Sequence, residues 1–235
     1  MKICCILEHN GGDSLIYARD LVGAYARGKS PEEALEKMPA EAESYLAWLG
    51  REVPEKPVAE IVETKASSLE IRDADSDVIF EAEKLPLTPE EYVTLKNLAL
   101  KSAWDFHALY LSVSDKSKPL SPARKTFYGE LPRSAEEMYE HTKRVNSYYF
   151  GEINAESDNN GNIYECRARG FENLEKMPDF LENRVVEGSY GELWSLRKVI
   201  RRFVWHDRIH ARAMYRGAVR SLGAENVTNV FCFSR

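Results

Sequence analysis

The pattern of apolar and polar residues divides the chain into a first part of mixed periodicity and a second part that is helical. Short apolar runs bounded by turn signals predict strands at 2–7, 15–18, 24–27, 58–64, 68–72 and 78–82. Ser30-Pro31-Glu32-Glu33 has the capping-box pattern of a helix start, and an apolar stripe continues from there to about Leu49. The first part is therefore predicted to be α+β.

From Leu87 onward the apolar residues recur with a helical period. Capping-box patterns begin at Thr88, Ser134 and Ser189. The predicted helices span 89–112, 134–154 and 190–221, with a fourth, interrupted by Pro178, between Phe171 and Val186. Residues 226–233 are interpreted as a last strand or an extended tail. Four helices joined by long connections predict a helical bundle with crossovers.

The charge distribution supports this division into two units. Of the 235 residues 43% are hydrophobic, which is enough for a substantial core, and the net charge is −6. Residues 1–86 carry 18 acidic and 10 basic side chains, whereas the remainder carries 20 and 22. We therefore predict two domains, 1–86 and 87–235. The acidic balance argues against a nucleic-acid-binding protein, because such proteins usually present a basic face.

The four cysteines contain no C-x-x-C pattern, and no N-terminal targeting segment or membrane span is evident in the sequence. This combination predicts a reduced, cytoplasmic protein. A nucleophilic role for Cys5 or Cys232 is a minor alternative, since neither shows a sequence environment that would lower its pKa.

Three histidines carry the candidate chemistry. His206 and His210 are four residues apart, so in a helix both imidazoles lie on one face, one turn apart. At 100° per residue from Arg197 they fall at about 180° and 220°, inside an apolar stripe. His141 lies on the apolar side of the helix predicted at 134–154. Three neutral imidazoles with an open fourth position are a common form of catalytic metal site.

The other polar residues of these helices are predicted to lie outside the site. His107 is about 120° from the apolar stripe of its own helix. Asp207 is expected to be solvated or to hydrogen bond to a ligand. For Glu137 the capping box is preferred over contact with a ligand imidazole or the metal. The last helix also has a basic face, predicted to point mostly into solvent, that consists of Arg197, Arg201, Arg208, Arg212 and Arg216.

The second part resembles the DinB-like (YfiT-like) family of metal-binding four-helix bundles over about 87–222. The resemblance rests on Arg133-Ser134-Ala135-Glu136-Glu137-Met138-Tyr139-Glu140-His141 and on the run from Leu196 to His210. It implies an up-down four-helix bundle with a three-histidine site, His141, His206 and His210, for zinc or nickel. Relatives with known activity imply a thiol-dependent transferase, isomerase or hydrolase and a low-molecular-weight thiol. The family often has Gly-Gln shortly after the last histidine, where this chain has Arg212-Ala213.

The first part resembles the HicB-like antitoxin domain, an α/β sandwich, over about 1–65. The match consists of Asp20-Leu21-Val22-Gly23 and Gly28-Lys29-Ser30-Pro31-Glu32-Glu33-Ala34. Two prolines common in that family are replaced here by Arg19 and Val22. The resemblance implies the fold alone, used for packing or for a homodimer, because the helical part stands where such proteins have a DNA-binding domain.

Two functions are compatible with these patterns. The first is a metal-dependent enzyme that acts on a small-molecule substrate, with its catalytic residues beyond the metal ligands unassigned. The second is a non-catalytic binding or stress-response protein, in which the metal is structural and the HicB-like domain binds a protein partner. A third interpretation of the histidines, side chains at the core edge that hydrogen bond to neighbours, would leave no metal site. An open ligand position facing a pocket would distinguish an enzyme from a closed structural site.

Overall fold

The computed structural model describes residues 1–10, 12–52, 57–67, 69, 76–126 and 129–234, and it has a mixed α+β fold. Its strands and helices occur in the order β1, β2, β3, α1, β4, α2, β5, β6, α3, α4, β7, β8 and α5. The strands are Lys2–His9, Ser14–Ala18, Tyr25–Gly28, Val58–Ala66, Lys125–Thr126, Gly129–Glu130, Val186–Glu187 and Leu193–Trp194. The α-helices are Pro31–Trp48, Pro89–Ser112, Ala135–Gly151, Ile163–Leu174 and Leu196–Leu222. Within the described residues, no helix has the length and apolarity needed to cross a membrane.

The four long strands form one sheet in the order β3-β2-β1-β4. The pairs β1–β2 and β2–β3 are antiparallel, whereas β1 and β4 are parallel, so α1 provides the crossover that parallel pairing requires. Alternate residues point to opposite faces. One face, including Cys5, Leu7 and Ile16, belongs to the core that contains α1. The other, including Ile6 and Tyr17, packs with Val78, Phe80 and Trp205.

The helices α2 to α5 pack against one another: α5 contacts α2 and α3, and α4 contacts the same two helices. The caps of α2 and α3 are those that the sequence predicts. Thr88 Oγ1 accepts the N–H of Glu91, and Ser134 Oγ accepts the N–H of Glu137. The glutamates accept the cap N–H groups in return, which fixes where both helices begin.

The predicted start of the last helix at Ser189 is wrong. Ser189–Gly191 forms a 3-10 turn in which Tyr190 has φ +62° and Gly191 φ +73°, values that an α-helix cannot contain. The turn lies between β7 and β8, which pair as a hairpin. Helix α5 begins after Ser195, whose Oγ accepts the N–H of Lys198. The Ser-x-x-Glu spacing at 189–192 therefore belongs to a turn and not to a capping box.

Two other predicted elements differ from the structure. The fourth helix, placed between 171 and 186, instead begins at Ile163 after the capping box of Asn162 and Glu165, and it ends at Leu174. Residues 78–82 form no strand, because Glu81–Lys84 is a 3-10 helix held by the Glu83 carboxylate, which accepts the Phe80 N–H. The strand predicted at 68–72 lies, apart from Leu69, outside the described residues. The segment 226–233 forms no strand.

The prediction that the basic face of α5 points into solvent is also wrong. Arg201 and Arg208 are buried and Arg212 is partly buried. Arg201 Nε donates to Glu83 Oε1 at 2.5 Å, and its guanidinium lies over the Phe80 ring. Angular position alone cannot identify this face as buried, because its partner comes from the first 86 residues.

One carboxylate of helix α1 binds two arginines of α5. Glu41 accepts hydrogen bonds from Arg208 Nη2 at 2.7 Å and from Arg212. Close backbone packing supports the same junction. Gly23 has φ +87°, and a Cβ at this position would lie 2.5 Å from Val204 Cγ1 on α5. A glycine is thus required where the first part of the chain contacts the last helix.

We expect Glu41→Gln to lower the free energy of unfolding by about 3 kcal/mol, because it leaves two arginines without their carboxylate at a buried junction. Urea denaturation of the purified protein measures this loss. Glu43→Gln is the matched control, since Glu43 is exposed on the same helix, and it should change stability by less than about 0.5 kcal/mol. Equal losses in the two variants would show that the junction does not depend on Glu41.

Candidate metal centre

The three histidines converge between two helices. His141 extends from α3, and His206 and His210 extend from α5. One ring nitrogen from each lies within 4.8 Å of the others. The ring centroids are 5.1 Å apart for His141 and His206, 4.8 Å for His141 and His210, and 4.5 Å for His206 and His210. Nitrogens bound tetrahedrally at about 2.0–2.1 Å from zinc lie about 3.3 Å apart, so small ring rotations would complete such a set.

These imidazoles are not hydrogen bonded to neighbours at the core edge. His206 Nδ1 is buried and has no hydrogen-bond partner among the described residues. The described hydrogen bonds also include none from His141 or His210. A buried polar atom without a partner is costly unless something else satisfies it. This argues against the interpretation of the three histidines as satisfied core side chains, and a cation bound through Nδ1 would satisfy this nitrogen of His206.

The environment keeps all three rings neutral at neutral pH. Burial lowers the pKa of His210 to about 3, and the proximity of His141 adds to this effect. Burial, followed by the neighbouring His210 and His141, also lowers the pKa of His206 well below its usual value. Burial and then Arg144 lower the pKa of His141. Neutral imidazoles have the free lone pair that metal ligation requires.

Asp207 is neither solvated nor bonded to a ligand imidazole. It is fully buried, and its carboxylate accepts two hydrogen bonds from Arg167, Nη1 to Oδ2 at 2.5 Å and Nη2 to Oδ1 at 3.0 Å. Arg167, on α4, also donates to Asn146 Oδ1 of α3 at 3.0 Å and to the Ala99 carbonyl of α2 at 3.1 Å. One buried ion pair therefore joins all four helices immediately beside His206.

The remaining candidates have structural roles or none in this site. Glu137 Oε2 accepts the N–H groups of Arg133 and Ser134, as the capping-box interpretation predicts. His107 hydrogen bonds through Nδ1 to Tyr139 Oη at 2.8 Å and is outside the cluster. Burial raises the pKa of Cys5 to about 12, which argues against its being a nucleophile.

The histidines form part of the wall of a cavity of about 1200 Å³. Four regions contribute described residues to its wall: positions 65, 66, 69, 77–79 and 84 of the first part of the chain, positions 121, 122, 124, 126, 131 and 132, the hairpin 190–193, and the inner faces of α3 and α5. No fourth His, Cys, Asp or Glu joins the three imidazoles among the described residues. The site therefore has the two features that an open metal position needs, three ligands and an adjacent pocket.

The sequence patterns did not identify most of this cavity. Asp77–Ile79 and most of the lining residues between 121 and 132 lie outside helices and strands, where no local pattern predicts which residues share a wall. The position of Arg202 on the wall could have been predicted from its spacing along α5. It precedes His206 by four residues, so the two lie about 40° apart on α5, and the structure places both on the cavity wall.

Comparisons with protein families, curated proteins and solved structures found no match for this chain. The interpretation of the site therefore depends on its own geometry and chemistry.

The lowered pKa values predict a sign for the effect of acid on the metal-free protein. Below about pH 6.5 the unfolded chain protonates these histidines while the folded chain does not, so stability is lost as the pH falls. Between pH 7 and pH 5 the free energy of unfolding should fall by about 1–2 kcal/mol less in His210→Gln than in the unmodified protein. Urea denaturation in the presence of a chelator, at a series of pH values, measures the difference.

His9→Gln serves as the control, because His9 does not line the cavity. This variant should leave the dependence of stability on pH unchanged. The same pH slope in His210→Gln and in the unmodified protein would contradict the buried, neutral state of the cluster.

Proposed function

We propose that this protein is a divalent-metal-dependent enzyme in which His141, His206 and His210 bind the metal. The observation that carries the proposal is the convergence of three neutral imidazoles on the wall of a large cavity. The orphaned His206 Nδ1 supports it, because a cation would satisfy this buried atom. Imidazole ligands suit zinc and nickel, which we propose as the metal.

The proposed class is the DinB-like family for the second part of the chain. Its support is the position of one histidine on α3 and an H-x-x-x-H pair on α5, together with the contacts that α2, α3, α4 and α5 make with one another. For the first part we propose a HicB-like domain. The order β3-β2-β1-β4, with α1 as the crossover to a parallel β4, supports this. The boundary near residue 86 remains a prediction.

The proposed chemistry is that of a thiol-dependent transferase, isomerase or hydrolase acting on a small molecule, with a low-molecular-weight thiol as co-substrate. A bound divalent cation would lower the pKa of a water or thiol, or polarise a carbonyl group. The chain contributes the orientation of the ligands. The Arg167–Asp207 pair beside His206 holds α5 in the rotation that directs His206 and His210 toward α3.

The alternative, a non-catalytic protein with a structural metal, is less well supported. Structural sites are usually closed by a fourth protein ligand, and the described residues provide none. A cavity of about 1200 Å³ next to the ligands is room for a substrate that a structural site would not need.

Metal analysis of the purified protein tests the proposal. We expect one equivalent of bound divalent metal per chain, with the affinity reduced at least tenfold in His141→Ala, His206→Ala and His210→Ala, because each loses one of three ligands. Inductively coupled plasma analysis gives the stoichiometry, and competition with a chelating dye gives the affinity.

The matched control is His107→Ala. His107 is also a helical histidine, but it hydrogen bonds to Tyr139 and lies outside the cluster, so its removal should leave the bound metal unchanged. Unchanged stoichiometric metal in all three cluster variants would contradict the proposed site.

A further inference from the structure

Helix α2 carries an apolar stripe on its outer face. Val93, Trp104 and Leu111 are 53%, 60% and 57% exposed. At 100° per residue these three side chains lie within about 20° of one another, and the partly exposed Leu100 lies about 20° to one side of Val93. Exposed apolar side chains that form one continuous patch mark a surface for interaction.

The stripe belongs to a coiled-coil seam. From its first residue, positions on this face recur after four and three residues alternately, which is the a/d pattern of a heptad repeat. None of the six positions carries a charged side chain. The α2 seam consists of Val93, Asn97, Leu100, Trp104, His107 and Leu111.

The α2 seam is self-complementary when a two-fold axis at its midpoint relates a second copy of the chain to the first. The two copies of α2 then run antiparallel. Val93 lies opposite Leu111 of the second copy, and Leu100 lies opposite Trp104 of the second copy. Each apolar residue therefore meets an apolar residue, in four layers along about 27 Å of helix.

The two polar residues of the seam also meet each other. The same axis places Asn97 opposite His107 of the second copy. His107 hydrogen bonds through Nδ1 to Tyr139 Oη of its own chain, and the described hydrogen bonds include none to its Nε2. An asparagine amide can donate and accept, so it suits this nitrogen in either tautomer. A polar layer within an apolar seam fixes the register of two helices.

The charges of α2 beside the seam are compensated within the chain. Lys96 and Lys101 lie on opposite sides of the seam, about 60° and 80° from its centre. Lys96 Nζ lies 2.6 Å from Glu175 Oε1, and Lys101 Nζ lies 2.7 Å from Asp105 Oδ2. Covering the seam therefore isolates neither lysine, and a strongly charged partner would gain little from either. This balance favours a second copy of the chain as the occupant.

The size of the seam sets the strength of the contact. Half of the lateral surface of a helix about 11 Å wide and about 27 Å long is roughly 470 Å². This is less than the roughly 800 Å² per partner of a standard stable complex, and it is typical of a reversible one. Trp104, held against Tyr164 with ring centroids 5.5 Å apart, lies near the middle of the seam, where aromatic residues contribute most to binding.

We infer that this face of α2 is the interface of an antiparallel, two-fold symmetric dimer, with a Trp104–Leu100 layer on each side of the axis. The interface is on a helix of the second part of the chain, not on the α+β part, for which the resemblance to HicB-like domains implied a homodimer. No residue of the seam lines the cavity with the histidines. The inference is therefore independent of the proposed function and of bound metal.

Sedimentation velocity of the full-length protein tests the inference. Between about 1 and about 200 μM we expect a change from monomer to dimer, with a dissociation constant on the order of 10 μM. Trp104→Glu should weaken the dimer at least 100-fold, because it buries a carboxylate without a partner in both central layers. Val58→Glu is the matched control and should leave the dimer unchanged. Val58 is 66% exposed on β4, the edge strand of the sheet.

A mixture of two variants tests the antiparallel register. Leu100→Lys should prevent dimer formation as Trp104→Glu does. In the mixture, the axis places the new lysine of one chain opposite the new glutamate of the other and leaves one Trp104–Leu100 layer intact. We expect the two variants to bind each other at least tenfold more tightly than either binds itself, as isothermal titration calorimetry measures. Parallel helices would place neither new charge opposite the other, and mixing would restore nothing.

Circular dichroism checks that each variant is folded. Should Trp104→Glu not fold, Leu111→Glu replaces it, since Leu111 is 57% exposed in an end layer of the seam. A monomer throughout the concentration range, an unweakened dimer in the folded seam variant, or a dimer lost in Val58→Glu would overturn the inference. Failure of the mixture to bind more tightly than its components would overturn the antiparallel arrangement.

Discussion

The buried ion pair between Arg167 and Asp207 is the constraint on which the geometry of the helical part depends. Arg167 reaches α2 and α3 with hydrogen bonds and α5 with a bidentate pair, and its guanidinium lies 4.3 Å from the centroid of the Phe203 ring. Two buried charges are stable only when paired with good geometry and satisfied by further hydrogen bonds, as they are here. Because Asp207 follows His206 directly, the rotation of α5 that satisfies the carboxylate also directs His206 and His210 toward His141. The cost of misplacing this pair is what fixes the direction of the imidazoles.

A second set of charges joins the two parts of the chain. The basic residues of α5 would be costly to bury alone, and the first 86 residues supply the compensating groups: Glu83 for Arg201 and Glu41 for Arg208 and Arg212. Aromatic rings complete the junction, with Arg201 over Tyr17 and Phe80 and Arg208 over Tyr45 and Trp48. In the sequence, the net acidity of residues 1–86 suggests only an independent unit. In the structure, part of that acidity compensates the positive charges on the basic face of α5. Helix α5 has His206 and His210 on one side and contacts with the first 86 residues on the other, which accounts for its many buried residues.

Periodicity and capping patterns predicted the structure correctly wherever the interactions within one short segment determine it. The strands of the sheet, the helices α1, α2 and α3 and the inward direction of the three histidines follow from periodicity and capping chemistry. The same capping pattern failed at Ser189, because Gly191 and the hairpin partner Val186–Glu187 stabilise a turn there. It went unrecognised at Asn162, although Asn162 and Glu165 make a complete capping box. Buried arginines were unpredictable for a different reason. Whether Arg208 faces solvent or Glu41 depends on a contact between residues 167 positions apart, which no local pattern encodes.

The two parts of the chain contribute different residues to the site. The three histidines lie on two helices that the Arg167–Asp207 ion pair joins, so their convergence depends on the second part of the chain. The cavity wall at 77–79, by contrast, comes from an irregular segment of the first part, in which Val78 packs with Trp205, the neighbour of His206 on α5. Arg202 lies where the two parts of the chain meet. Its backbone belongs to α5, which carries His206 and His210, and its guanidinium donates to the carbonyl oxygen of Ser76.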